Sequence, residues 1–252
     1  MEGASPGVPP PEVLDGWGAV DIEALPGGQG EAFRAGDLVL KPAPDPAQAV
    51  WLAETLDALP AHPEIRIARP VRARDGAWVV HGWSAWRWLD GEHRRDSWEA
   101  TLDASQRFHH IVAHIGWSPA MVASNRWSAA DRVAWGEAHA PLPPQAERLV
   151  SRRRPVRLPA QMIHADLGGN VLFHDTLAPA VIDVSPYWRP AAYADAIVVA
   201  DAVAWSGAGD ELVERLLRAQ GDQLLLRAVL FRVATDPGEV EAYERVITLI
   251  TA

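Results

Sequence analysis

The chain has no cysteine, which excludes disulfides, thiolate metal sites and a cysteine nucleophile. It also nearly lacks lysine. Of its 23 basic residues all but one are arginine, and the exception is Lys41. No apolar run approaches the roughly 20 residues of a membrane span. Residues 1–11 lack both the basic start and the apolar stretch of a signal peptide, and are expected to form a disordered leader. These absences point to a cytoplasmic protein with no membrane partner. A formal charge of −10 offers no net basic surface and argues against nucleic acid as a partner. The cluster Arg152, Arg153, Arg154 and Arg157 reads as a solvated helix end. No Gly-x-Ser-x-Gly elbow and no Walker-type phosphate loop occurs. His110 and His114 have zinc-like spacing but lack the companion glutamate and third ligand, so they read as a capped or packed pair.

The single lysine is informative because of where it stands. It ends the strand-like run Asp37-Leu38-Val39-Leu40-Lys41. An ammonium is a compact point charge and a guanidinium a wide planar fork, so a site built for one does not accept the other. Before it lie Gly27, Gly28 and Gly30, a turn whose backbone N–H groups can fold over phosphates. After it, Asp45 and Pro46 predict a helix start, with the helix running to about Leu59. Ala47, Val50, Trp51 and Glu54 would share one face of that helix. Strands are expected over Val20–Leu25, Glu31–Arg34, Ile65–Arg74, Ala77–His81 and Trp83–Arg87, with Asp75-Gly76 as a hairpin turn.

Beyond Gly91 the pattern turns helical. Asp96 is expected to cap a helix with Trp98, Leu102, Ser105, Phe108, Val112 and Ile115 on its apolar face. Another helix should start at Ser128, and Ala191–Trp205, Glu211–Ala219, Gln223–Ala234 and Glu239–Ile250 should follow. Short strands fit Gln161–His164, Val171–Phe173 and Val181–Ile182. The fold class is therefore α+β, with a small strand-rich part over residues 12–89 and a larger helical part over 90–252.

The densest chemistry lies in His164-Ala165-Asp166-Leu167-Gly168-Gly169-Asn170, between two apolar strands, with Asp183 thirteen residues on. Charged groups beside a core are costly unless paired, and two carboxylates with an amide oxygen suit a hard cation such as Mg²⁺. This stretch resembles the catalytic loop of the aminoglycoside phosphotransferase family, members of the protein-kinase-like superfamily. It also resembles that of a group of actinobacterial kinase-like proteins. The resemblance spans roughly Val20 to Trp205 and implies a bilobal kinase-like fold that uses ATP and Mg²⁺. It implies Asp166 as the base for an acceptor hydroxyl and Asn170 and Asp183 as metal ligands. His164 would brace the loop. Lys41 would contact phosphate, Glu54 would pair with Lys41, and the linker Arg87-Trp88-Leu89 would bind adenine.

Two differences from the family pattern stand out. Three residues separate Asp166 from Asn170 where the family has four, and the expectation is that Gly168 and Gly169 let the shorter loop reach. Asp183 is followed by Val184-Ser185-Pro186, without a second acid. The resemblance implies a phosphotransferase acting on a small-molecule acceptor, aminoglycoside-like or another metabolite. A catalytically silent nucleotide-binding protein and an AMP-transferring enzyme remain the alternatives.

Overall fold

The computed structural model describes residues 7–26 and 31–252. The chain divides into two compact units, Met1–Gly91 and Glu92–Ala252.

The first unit opens with helix α1 (Pro11–Trp17), which burial of Val13 and Trp17 holds in place. The Trp17 indole donates to the Val71 carbonyl at 2.8 Å. The sequence pattern did not reveal this helix, because two apolar anchors in seven residues are too few to set a period. Strands β1 (Glu23–Ala24), β2 (Phe33–Ala35) and β3 (Leu38–Pro42) follow, then helix α2 (Pro46–Asp57). The expected cap forms: the Asp45 side chain accepts from Gln48 N–H, with Pro46 at the first helical position. The remaining strands are β4 (Arg66–Ile67), β5 (Pro70–Val71), β6 (Val79–Val80) and β7 (Trp83–Arg87).

The long strand expected over 65–74 is therefore split. Pro70 lacks the N–H that a continuous ladder needs. Six strands form one antiparallel sheet in the order β1-β2-β3-β7-β5, with β6 also on β7. Between β5 and β6, Gly76 turns at φ 88°, as expected of the Asp75-Gly76 pair. The core gathers Leu38, Leu40, Trp83 and Ala85 from the central strands with Val13 and Trp17 from α1. On α2 the buried residues are Leu52, Ala53 and Leu56 rather than the Ala47–Glu54 face, and Glu54 itself is exposed.

The second unit is mostly helical. Helices α3 (Trp98–Val112), α4 (Arg126–Trp135) and α5 (Pro144–Val150) lead to strand β8 (Gln161–His164). Ser97, not Asp96, is the N-cap residue of α3, and the Asn125 side chain caps α4. Strands β9 (Val171–Leu172) and β10 (Ala180–Val181) pair antiparallel as a hairpin. Strand β11 (Pro186–Arg189), a run whose two prolines disguise it, pairs with β8 from Pro186↔His164 to Arg189↔Gln161.

Helices α6 (Ala191–Trp205), α7 (Asp210–Gln220), α8 (Gln223–Thr235) and α9 (Glu244–Thr251) complete the unit. The last expected helix begins as a 3-10 segment, Pro237–Tyr243, with the Asp236 side chain accepting from Gly238 N–H. Nine residues of α6, from Tyr193 to Val203, are buried, which makes it the central helix of the unit.

Candidate active site

Strand β8 delivers the loop. Its last residue, His164, is fully buried. His164 Nδ1 accepts from the backbone N–H of Asp166 at 3.3 Å and of Ser185 at 3.2 Å, and Nε2 lies 3.2 Å from the Ile182 carbonyl. One imidazole thus ties the Asp166 loop to the segment on either side of Asp183. His164 itself is fixed from behind, because its N–H donates to His109 Nε2 at 3.0 Å. Burial, with the neighbouring His164 ring, lowers His109 to about 3. Neutral His109 then keeps its acceptor nitrogen, while its Nδ1 meets Ser105 Oγ, which in turn donates to Asp195 at 2.6 Å. A stack of hydrogen bonds from α3 and α6 therefore sets the height of the catalytic-loop candidate.

After Asp166 the chain makes a 3-10 turn, Leu167–Gly169, closed by Asn170 N–H to Leu167 C=O at 3.0 Å. Neither Gly168 nor Gly169 adopts a positive φ. The shortened loop therefore closes by ordinary turn geometry and not by glycine's conformational freedom. Gly168 instead lies against Asp201 on α6: a Cβ there would stand 3.6 Å from the carboxylate. The Asn170 amide nitrogen donates to the Asp166 carbonyl at 2.6 Å and approaches its Oδ2 at 3.3 Å. The amide nitrogen is thus committed to the Asp166 loop, and the amide oxygen is the atom of this side chain that a cation could use. Asp183 is exposed and sits in the left-handed region at φ 49°, a conformation aspartate tolerates better than most residues. Its neighbour Ile182 donates to the Asn170 carbonyl at 3.0 Å, which brings the two candidate ligands onto adjoining backbone.

One partner of Asp166 was not foreseen. Arg232 of α8 donates through Nη2 to Asp166 Oδ1 at 2.7 Å, and its Nε donates to both Asp201 oxygens at 3.1 Å. Tyr243 donates to Asp201 Oδ1 at 2.9 Å and receives the Trp205 indole N–H at 3.0 Å. Burial works against the Arg232 charge, but Asp201 and Asp166 outweigh it and hold its pKa above the ordinary value. The clue in the sequence was a charge in the wrong company. Arg232 stands between Phe231 and Val233, and Asp201 stands in a helix otherwise almost wholly apolar. Each had to find a partner.

In the first unit, Lys41 lies on β3 opposite Ser84 of β7. Its ammonium is 4.9 Å from the centroid of the Trp86 ring, whose indole donates to Ser84 Oγ at 3.0 Å. A half-buried lysine over an aromatic face is attracted by the ring's quadrupole and loses freedom. In the linker, Arg87 N–H donates to the Arg69 carbonyl and Trp88 N–H to the Asp37 carbonyl, at 2.7 and 2.8 Å. Arg87 also pairs with Asp37. Of the three linker candidates, only Leu89 makes no backbone hydrogen bond to the described residues. Gly27, Gly28 and Gly30 lie outside the described residues.

The basic cluster of the second unit is structural. Arg153 donates to the Val133 carbonyl at 2.6 Å and Arg154 pairs with Asp222 at 2.9 Å. His110 and His114 are exposed. Among the described residues no group of three His, Cys, Asp or Glu could hold a metal, and no helix is long and apolar enough to cross a membrane. An amide oxygen and a single carboxylate nevertheless fit Mg²⁺, which takes few protein ligands and keeps waters and phosphate oxygens for the rest.

No protein-family model and no curated protein sequence matches the chain. Solved structures do. An aminoglycoside phosphotransferase from Alicyclobacillus acidocaldarius superposes with a TM-score of 0.61 at 14% identity, over 98% of this chain and 94% of that one. An AMP-bound spectinomycin phosphotransferase gives 0.60 at 10% identity, over 96% of each. A hygromycin B–AMP-PNP complex of a thermostable aminoglycoside phosphotransferase variant gives 0.55 at 13% identity, over 94% and 95%. The fold is the α+β, protein-kinase-like fold of the aminoglycoside phosphotransferases, with an antiparallel sheet in the first unit and a larger helical second unit.

Proposed function

We propose that this chain is an aminoglycoside phosphotransferase-like kinase, which transfers the γ-phosphoryl group of ATP to a hydroxyl of a small molecule with Asp166 as the base. The observation that carries the reading is the Asp166 carboxylate itself. It is half-exposed at the end of a strand, oriented from one side by Arg232 and from the other by Asn170, on a loop pinned by His164. Those interactions hold Oδ1 and aim Oδ2, which is what a general base needs before it meets a hydroxyl. The acceptor oxygen forms a bond to the γ-phosphorus while Asp166 takes its proton, and the bond to the leaving ADP oxygen breaks with its electron pair. Asn170 and Asp183 would hold Mg²⁺. When bound, that ion neutralises charge on the phosphates. Lys41 is assigned to the phosphates and Glu54 to orienting Lys41. Gly27, Gly28 and Gly30 are assigned to the phosphate loop. Of the linker residues, the Leu89 backbone is the best suited to adenine, because Arg87 and Trp88 already spend their N–H groups in the sheet.

The solved proteins of this fold support the reading, since they include complexes with AMP, AMP-PNP or ADP and with hygromycin B or spectinomycin. One observation favours a second reading, nucleotide binding without transfer: the Arg232 ion pair occupies an oxygen of the proposed base. Release of ADP from Mg-ATP across a panel of hydroxylated acceptors separates the two. Transfer predicts acceptor-dependent ADP release that Asp166→Asn abolishes while nucleotide affinity stays within about twofold. Equal release by wild type and variant removes Asp166 from the reaction.

A further inference from the structure

A cavity of about 260 Å³ opens within the second unit, beside β11, with Trp117, Met121, Tyr187, Trp188, Asp131 and Glu137 in its wall. Its wall is joined to the Asp166 loop through strand β11. Strand β11 runs against β8, which ends two residues before Asp166, and Tyr187 pairs with Ile163 in that ladder. The Tyr187 hydroxyl is held well above its ordinary value by burial and by the Asp131 charge, with Arg232 and Asp166 acting on it as well. One side chain thus senses both the cavity wall and the base.

Two carboxylates give this wall an acidic look, but both are already ion-paired. Arg189 donates from Nε to both Asp131 oxygens, from Nη2 to Asp131 at 2.6 Å and to Glu137 at 2.9 Å, and from Nη1 to Glu137 at 2.7 Å. All four carboxylate oxygens are thereby engaged by one guanidinium. Arg132 also lines the cavity, so two positive groups face two negative ones. A polycation entering here would meet no unpaired anion and would have to compete with a bidentate fork. The wall leaves apolar surface uncovered alongside the exposed charges of Arg132 and Glu137, the latter paired with Arg189. Trp117 is 57% exposed and Val122 58%, and both lie in this one wall.

We infer that this cavity receives the acceptor, and that the acceptor is an uncharged, ring-bearing alcohol packed against Trp117 and Trp188 rather than a polyamine. The inference rests on the phosphotransferase reading for the fate of the alcohol, but not for its binding. At about 260 Å³ the cavity is slightly smaller than the ~300–1,000 Å³ usual for small-molecule sites, which favours a compound of one or two rings over a larger one.

Calorimetric titration of the full chain without nucleotide tests binding, with uridine, tryptophol and 4-nitrophenyl glucoside as uncharged ring alcohols and kanamycin and choline as cations. At least one uncharged probe should bind at least tenfold more tightly than either cation. Trp117→Ala and Trp188→Ala should each weaken that probe about tenfold, the effect of removing one well-packed aromatic contact. Trp117 is exposed enough that its truncation leaves folding intact. Tighter binding of kanamycin or choline overturns the inference, as does no binding of any uncharged probe or an affinity that both tryptophan variants leave unchanged. The same probes with Mg-ATP then report ADP release. Binding without release leaves the cavity assignment standing and removes the phosphotransferase reading. Release with kanamycin that ignores Trp188→Ala does the reverse.

Discussion

Two arginines of the second unit are built alike. Arg232 bridges Asp201 and Asp166, and Arg189 bridges Asp131 and Glu137. Each arginine side chain is 16% exposed, each inner carboxylate is buried deeper still or nearly so, and each outer one is about half exposed, 47% for Asp166 and 48% for Glu137. The difference is in the outer bond. Arg189 grips Glu137 with two terminal nitrogens, whereas Arg232 reaches Asp166 with one and leaves Oδ2 to face Asn170. A closed fork makes architecture, because every oxygen is spent. A single bond fixes a carboxylate's direction and still leaves it an atom with which to work.

The strongest way to break this comparison is to neutralise the outer acids. Asp166→Asn should lower kcat by about 10²–10⁴-fold with little change in unfolding free energy, which steady-state ADP release and urea denaturation would measure. A variant that instead lost well over about 1 kcal/mol would make Asp166 a structural partner of Arg232. The arginines come next. Arg232→Met and Arg189→Met each strand a buried carboxylate, and each should cost about 3–5 kcal/mol in urea unfolding. A much smaller loss for one of them would show that its inner acid finds another partner.

The His109 stack sharpens the contrast, because it braces only the Asp166 loop. Folded His109 titrates at about 3 against an ordinary 6.5. Between those values the unfolded chain binds a proton that the folded chain does not. Stability is therefore full above pH 6.5 and falls by up to about 1.4 kcal/mol per pH unit below it. His109→Gln should flatten that slope, as read from urea midpoints between pH 7 and 4. The smallest effect belongs to Glu137. The Arg189 hydrogen bonds lower its pKa from 4.5, so its contribution is present above that pH and disappears as pH falls through the folded value. Half-exposed and screened, it should contribute less than about 1 kcal/mol, and Glu137→Gln should remove this acid-linked loss.

Local order was readable and long-range pairing was not. Strands Trp83–Arg87 and Gln161–His164 and helix Ala191–Trp205 stand at the bounds their hydrophobic runs and flanking prolines and glycines suggested. So does the Asp45 cap, since its chemistry is complete within four residues. Helix α1 escaped notice because its stability comes from distant contacts such as Trp17 with Val71. Strand β11 did so because an edge pairing across 22 residues has no local signature once prolines flank it. The same reason hid Arg232, which lies 66 residues from Asp166, and the Arg189 fork, 58 residues from Asp131. The catalytic-loop candidates were visible as residue types, but the network that aims them was not.

The lone lysine on β3 gives the protein a natural site-specific chemical reporter. With no other lysine in the chain, an amine-selective acylating reagent has one side-chain target, and its adduct is read on the proteolytic fragment that carries Lys41, apart from any adduct at the α-amine. Slower acylation in the presence of ATP would mark occupancy of the phosphate site, and an unaltered rate would detach Lys41 from the nucleotide, with no mutation and no assumption about the acceptor.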